Sequence, residues 1–290
     1  EVGRGGRFDD MALVPNQVAL FTPIFLEHTQ YLGDRVERIA WHKAGIIQPG
    51  GYAYSLPQDP AVMAILRREA EEKNATFEWL APMDMGAEIG PVTTTDGQPG
   101  TRARFPRYGE VILPMRGQYG VDNASLAIWA AGNMHARLDS PILHSAPEYV
   151  QCIRAGLERA FWPGRVHRLS EAPAVWVDGA ITVPAAEGFL ASVRETLTAP
   201  VIAVLAVPQD RDYRAIYGIF APVSGPLILT ESARNRVIRF PDRETAFEAA
   251  RSLRLQLEQY DRGTGRWRGT GERLPPEALE SDAAWRAALL

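Results

Sequence analysis

The sequence contains one cysteine, Cys152, so no disulfide can close within it. Cys152 falls in a helical pattern (YVQCIRAGLERAF), where it reads as a small core residue. So little cysteine fits a cytoplasmic location. Long apolar runs are also missing. None reaches the roughly 18 residues that a membrane-spanning helix needs, and no signal peptide is recognisable. Lysine is nearly absent: of 31 basic residues only Lys43 and Lys73 are lysines. A basic patch is lacking too, and the net charge is −4, which argues against nucleic acid as a partner. An initiating methionine is not present. The chain opens at Glu1, within a glycine-rich turn, so an upstream segment is expected.

What is present is ordinary globular composition, 46% hydrophobic and 23% charged, over 290 residues. That length suggests two domains, each able to bury a core. Strand-like and helical patterns alternate. Residues 18–25 read as a strand, 33–44 as a helix, 60–73 as a helix opened by proline, and 109–114 as a short strand. Helices follow over 121–137 and 146–161, while 82–108, rich in Gly, Thr and Pro, reads as loops and short hairpins. The pattern restarts after Trp162-Pro163-Gly164-Arg165. Strands are expected at 174–177, 201–207, 226–230 and 236–240, and helices at 185–197, 213–220 and 245–260. This alternation predicts an α/β fold with a mainly parallel sheet covered on both faces. The expected domains are 1–161 and 162–262, followed by a loosely ordered tail over 263–290.

Several motifs carry chemistry. Glu1-Val-Gly-Arg-Gly-Gly-Arg-Phe-Asp9 puts an acid before a glycine-rich turn. Glu27-His28-Thr29 follows the first strand, and a histidine at a strand's C-terminal end faces the crevice where open α/β sheets bind ligands. His42-Lys43-Ala44-Gly45-Ile46 holds one of the two lysines, an amine that can lose its proton when desolvated, as a guanidinium cannot. Ser55-Leu56-Pro57-Gln58 and Leu113…Gly117-Gln118…Asn123-Ala124 follow. An asparagine such as Asn123 can read a base edge through its paired donor and acceptor, or simply cap a helix. Beyond the break come Arg165, Val175-Trp176-Val177-Asp178-Gly179-Ala180, and Pro208-Gln209-Asp210-Arg211-Asp212.

In this order, the motifs resemble those of the folylpolyglutamate synthase/dihydrofolate synthase family of the Mur ligase superfamily, from Glu1 to about Arg234. The pieces His42–Gly45 and Trp162–Arg165 point to this folate branch rather than to ligases of peptidoglycan precursors. The resemblance implies the remainder of a Mur-ligase central ATP-binding domain followed by a Rossmann-like C-terminal α/β domain. It implies a monomeric ligase that uses ATP and Mg²⁺ to join L-glutamate to a folate or dihydropteroate carboxylate through an acyl phosphate. By the same resemblance Glu1, His28 and a carbamylated Lys43 are metal ligands, Lys43 and His28 are catalytic, and Gln118, Asn123, Arg165 and Asp178 bind the nucleotide. The chain departs from the family at Glu27 (aspartate there), at His42 (glutamate there), and at Ile181-Thr182-Val183, where the family has His-Asn-Pro. No G-x-x-x-x-G-K-[ST] phosphate loop occurs in it. These departures leave a second expectation open, a non-catalytic binding or regulatory module of the same shape.

Overall fold

The structure is a computed structural model that describes residues 2, 5–95, 97–138, 145–197, 201–230, 238–242 and 244–252. The chain divides into two compact units, Glu1–Trp162 and Pro163–Leu290.

The first unit begins with β1 (Val18–Phe21), α1 (Thr29–Leu32), α2 (Val36–Ala44), β2 (Tyr52–Ser55), α3 (Pro60–Glu72) and β3 (Thr76–Trp79). The three strands form a parallel sheet in the order β1-β2-β3, with Phe21 level with Ser55 and Ser55 level with Trp79. α3 forms where it does because Asp59 accepts the Ala61 N–H at 2.8 Å and Pro60 occupies the first turn. Its buried residues Val62, Leu66, Glu69 and Ala70 follow the 3.6-residue period. The apolar ones pack with Ala19, Phe21 and Ala53 of the sheet and Ile39, Ala40 and Ala44 of α2.

The unit continues with β4 (Ala87–Thr93), β5 (Pro99–Phe105) and β6 (Gly109–Leu113), an antiparallel sheet, and with α4 (Gln118–Ala136) and α5 (Pro147–Arg159). Val121 and Ala124 of α4 and Leu157 of α5 share a core with Ala103, Phe105, Val111 and Leu113. Ser125 ties helix to sheet: its Oγ donates to the Val121 carbonyl and accepts from Gly86 N–H, both at 2.8 Å. Cys152 is exposed on α5 and is not the core residue its apolar neighbours suggested; Tyr149 and Leu157 take the buried positions.

The second unit holds β7 (His167–Glu171) and β8 (Ala174–Val177), an antiparallel pair. Then come α6 (Val183–Val193), β9 (Ala203–Leu205), α7 (Tyr213–Phe220) and β10 (Leu227–Leu229), with β9 and β10 parallel. Residues 244–252 are helical. Ala186, Ile216, Tyr217, Phe220, Ala246 and Ala250 belong to one core.

The fold is α/β, but the expectation of a mainly parallel sheet needs correction. Among the described residues, two sheets are parallel and two antiparallel. The stretch 82–108 holds an antiparallel hairpin, as its composition suggested, but with seven-residue strands β4 and β5 and a register shift between Glu88 and Gly90. The first strand ends at Phe21, not at residue 25. β2, β3 and β7 were not foreseen; β2 and β3 have four residues each, too few for periodicity to separate strand from helix. Residues 238–240 are not strand; 236–237, the end of the last helix and the tail lie outside the described residues.

One ionic cluster joins three segments of the first unit. Glu69 is 4% exposed. One carboxylate oxygen takes Arg7 Nη2, and the other takes Lys73 Nζ at 2.9 Å. Arg7 also donates to the Trp41 carbonyl, and Lys73 donates to the carbonyls of Gly45 and Ile47 at 3.1 and 2.6 Å. Burial alone would push the Glu69 carboxyl up; the hydrogen bonds and charges of Arg7 and Lys73 outweigh it and hold it below its ordinary value. Glu69→Gln leaves two cations without their counter-charge, and unfolding in urea is expected to show a loss of about 2–4 kcal/mol at neutral pH. Because the folded-state value is depressed, this advantage over the variant is complete above the ordinary glutamate range and shrinks as pH falls through the folded-state value.

Candidate functional site

The glycine-rich turn before β1 lies against the end of α2. Gly5 and Gly6 have φ of +100° and +108°, which side chains rarely adopt. A Cβ on Gly6 would stand 3.1 Å from the His42 carbonyl, and one on Gly45 would stand 2.4 Å from Arg7 Cα. Arg7 N–H donates to the His42 carbonyl at 2.8 Å. The two backbones therefore meet with no room for side chains, and the Arg7 guanidinium lies over the Trp41 ring at 4.1 Å.

Lys43 stands in the last turn of α2 and pairs with Glu27, Nζ to Oε1 2.7 Å, both side chains about one-fifth exposed. His28, next to Glu27, is half-buried at the N-terminus of α1, in the left-handed region at φ 50°. Its carbonyl accepts the N–H groups of Tyr31 and Leu32. His28 was expected at a strand end. It instead starts a short helix seven residues beyond β1, because β1 is shorter than its apolar run. His42 packs edge-on to Phe8 and Trp41. Burial, followed by the charges of Arg38 and Arg7, pushes its imidazole below the ordinary value and favours the neutral ring. Glu1 lies outside the described residues. Among those described, no three acids, histidines or cysteines gather as a metal-binding group.

Gln58 was passed over as a site residue, yet it joins the ends of β1 and β2. Its Oε1 accepts the Ile24 N–H at 2.7 Å, and its Nε2 donates to the Thr22 carbonyl at 3.2 Å and to Ser55 Oγ at 2.9 Å. The signal was in the sequence, an amide three residues past the last residue of a buried strand, but its partners lie 34 and 36 positions away.

On α4, Gln118 is exposed and donates to Asp122 Oδ1 at 2.8 Å. Asn123 is exposed and lies inside the helix; Gly117 is the cap, so the capping alternative for Asn123 fails.

In the second unit, Asp178 follows β8 and accepts the Val166 N–H through Oδ2 at 2.7 Å. Burial pushes its carboxyl above the ordinary value, opposed by the Val166 N–H, by Arg165 and by the Ala180 N–H. Gly179 N–H donates to the Gly164 carbonyl at 3.0 Å, and a Cβ on Gly179 would stand 2.1 Å from Arg165 Nη1. Arg165 and Asp178, remote in sequence, thus share one corner of this unit. Thr182 precedes α6 as its cap residue without a side-chain capping bond, and Asp212 caps α7 by accepting the Ala215 N–H at 3.0 Å.

No family model matches the chain. The curated dihydrofolate synthase/folylpolyglutamate synthase of Mycobacterium tuberculosis is 29% identical over 259 residues, 82% of this chain and 49% of the relative. The protein of the same name from Bacillus subtilis is 30% identical over 217 residues, 74% and 48%. The crystal structure of Mycobacterium tuberculosis folylpolyglutamate synthase with ADP and AMPPCP superposes with a TM-score of 0.72 at 27% identity, covering 88% of this chain and 56% of that one. The chain belongs to the folylpolyglutamate synthase/dihydrofolate synthase family. Its fold is that of the Mur-ligase-like two-domain α/β proteins. It spans about half the length of the curated relatives it matches. In a complex with AMPPCP and folate, a further folylpolyglutamate synthase shares the fold at a TM-score of 0.67 and 21% identity.

Gln58→Ala removes the acceptor of the buried Ile24 N–H and two donors at the strand ends. We expect a loss of about 1–2 kcal/mol in thermal unfolding, together with faster hydrogen exchange at the Ile24 amide.

Proposed function

We propose that this chain contributes to an ATP-dependent amide ligation that joins L-glutamate to the carboxylate of a folate or dihydropteroate. The observation that carries the reading is the half-buried Lys43–Glu27 pair beside His28, within a family whose members are named for this ligation. The substrate carboxylate attacks the γ-phosphorus of ATP and ADP departs. The glutamate amine then attacks the acyl carbon of the acyl phosphate, phosphate leaves, and the amine surrenders a proton. Negative charge gathers on the transferring group, so cationic groups and a closed crevice favour the step.

The donor chemistry fits Mg²⁺ under one condition. Mg²⁺ takes oxygen ligands, and an ammonium cannot ligate. A carbamate on Lys43 supplies oxygens and turns the attraction of Glu27 into repulsion that a divalent cation neutralises. Glu1 and His28 would hold one Mg²⁺ and carbamylated Lys43 a second, which when bound would screen the phosphoryl charge. Gln118, Asn123, Arg165 and Asp178 are the proposed nucleotide contacts. The units are read as Mur-ligase central and C-terminal domains of a monomeric, cytoplasmic enzyme that needs neither nucleic acid nor a membrane; no helix among the described residues is long and apolar enough to cross one.

A second reading, a non-catalytic binding module, is favoured by Ile181 and Thr182, which replace two polar family residues just after Asp178. Calorimetry with ATP and Mg²⁺ separates the two. Restoring both, Ile181→His with Thr182→Asn, adds two hydrogen bonds worth about 1–3 kcal/mol together, so binding is expected to tighten roughly tenfold to a hundredfold. Absence of binding by either protein, each shown to be folded and carrying an intact phosphate loop, supports the module. In a preparation competent for ligation, Lys43→Arg is expected to abolish glutamate-dependent ADP release, since a guanidinium keeps its charge and accepts no carbamate. Turnover near that of the unsubstituted protein would rule out the carbamate.

A further inference from the structure

A second cavity, of about 390 Å³, lies in the first unit away from Lys43 and Glu27. It is lined by the end of β3, the turn Pro82–Asp84, the β5–β6 turn and one face of α4. Its volume suits a small ligand. Glu78 and Asp84 contribute two half-buried carboxylates, and neither has an ion pair or hydrogen bond among the described residues. Arg107 contributes an exposed guanidinium, also without an ion pair there, from a turn residue at φ 69°. The apolar walls are Phe105, Ile128 and Trp129, and Trp129 Nε1 is buried with no hydrogen-bond partner.

These features select by charge. Two carboxylates withdrawn from part of their water without a counter-ion are offset by an ammonium. They repel phosphates, which disfavours a nucleotide. The guanidinium in turn disfavours a simple cation and suits a carboxylate, which it can engage through two parallel bonds. Aromatic and branched walls want an apolar body.

We propose that this cavity binds a small zwitterion with an apolar body, the chemical class of an α-amino acid with an apolar side chain. Its ammonium meets Glu78 and Asp84, its carboxylate meets Arg107, and its side chain meets Phe105, Ile128 and Trp129. None of these residues belongs to the proposed ligation site, so the inference stands or falls apart from that function.

The test is calorimetry on the full 290-residue chain with three probes of similar shape. L-Phenylalanine carries both charges, phenylethylamine lacks the carboxylate, and phenylpropionate lacks the ammonium. Saturable binding of L-phenylalanine is expected, with each single-charge probe weaker by about tenfold or more. Glu78→Gln, Asp84→Asn and Arg107→Ala should each weaken L-phenylalanine by a similar factor while circular dichroism stays unchanged. The proposal is overturned if neither L-phenylalanine nor L-leucine binds saturably. It is equally overturned if phenylethylamine or phenylpropionate binds as well as L-phenylalanine, or if the folded variants bind it undiminished.

Discussion

The Glu69 carboxylate is the constraint on which the rest of the first unit depends. It lies on the apolar face of α3, where a charge without partners would be costly. Both its oxygens are engaged, one by Arg7 from the glycine-rich turn and one by Lys73 from the end of its own helix. Through Lys73 it reaches the carbonyls of Gly45 and Ile47, and through Arg7 the carbonyl of Trp41. The segment that follows Lys43 and the turn that precedes β1 are thereby held to one helix. The glycines at 5, 6 and 45 make that contact close enough to matter.

Around this clamp the candidate groups fall into separate sets. Lys43 of α2 pairs with Glu27, the neighbour of His28 before α1, while Gln58 ties the ends of β1 and β2. In the second unit Arg165, Asp178 and Gly179 share a corner knitted by backbone hydrogen bonds. Glu27, His42 and Ile181-Thr182, where the chain departs from the motifs it resembles, fall beside these sets. Glu27, longer than aspartate by one methylene, reaches Lys43 directly. His42 replaces an acid where two arginines already surround the position, and a neutral ring is the state that setting favours. Ile181 and Thr182 remove polar groups next to Asp178 but leave the turn at Asp178–Ala180 intact, because its bonds run through the backbone and Asp178 itself.

Much was legible without coordinates where the signal is local. The limits of α3 and α7 follow closely from an opening proline and from apolar spacing, both read within a few residues; the capping aspartates Asp59 and Asp212 came with the structure. The motif order from Glu1 to about Arg234 carried the resemblance to the family, since motifs are written directly in residue identity. The α/β alternation was readable from local periodicity.

Only the tertiary structure decided the rest, and for a common reason: these features depend on partners distant in the chain. The four-residue strands β2 and β3 carry too little periodicity to be recognised alone and exist through pairing, β2 with β1 and β3 with β2. The residues of β4 and β5 become long strands because each supplies the other's hydrogen bonds. Cys152 is exposed because α5 turns Tyr149 and Leu157 inward, a choice of face that composition leaves open. Asn123 ceases to be a cap once α4 begins at Gln118. Ile24 and Thr22, which bond Gln58, and Arg7, which bonds Glu69, lie 34 to 62 residues away, and no local pattern encodes a bond across such a distance.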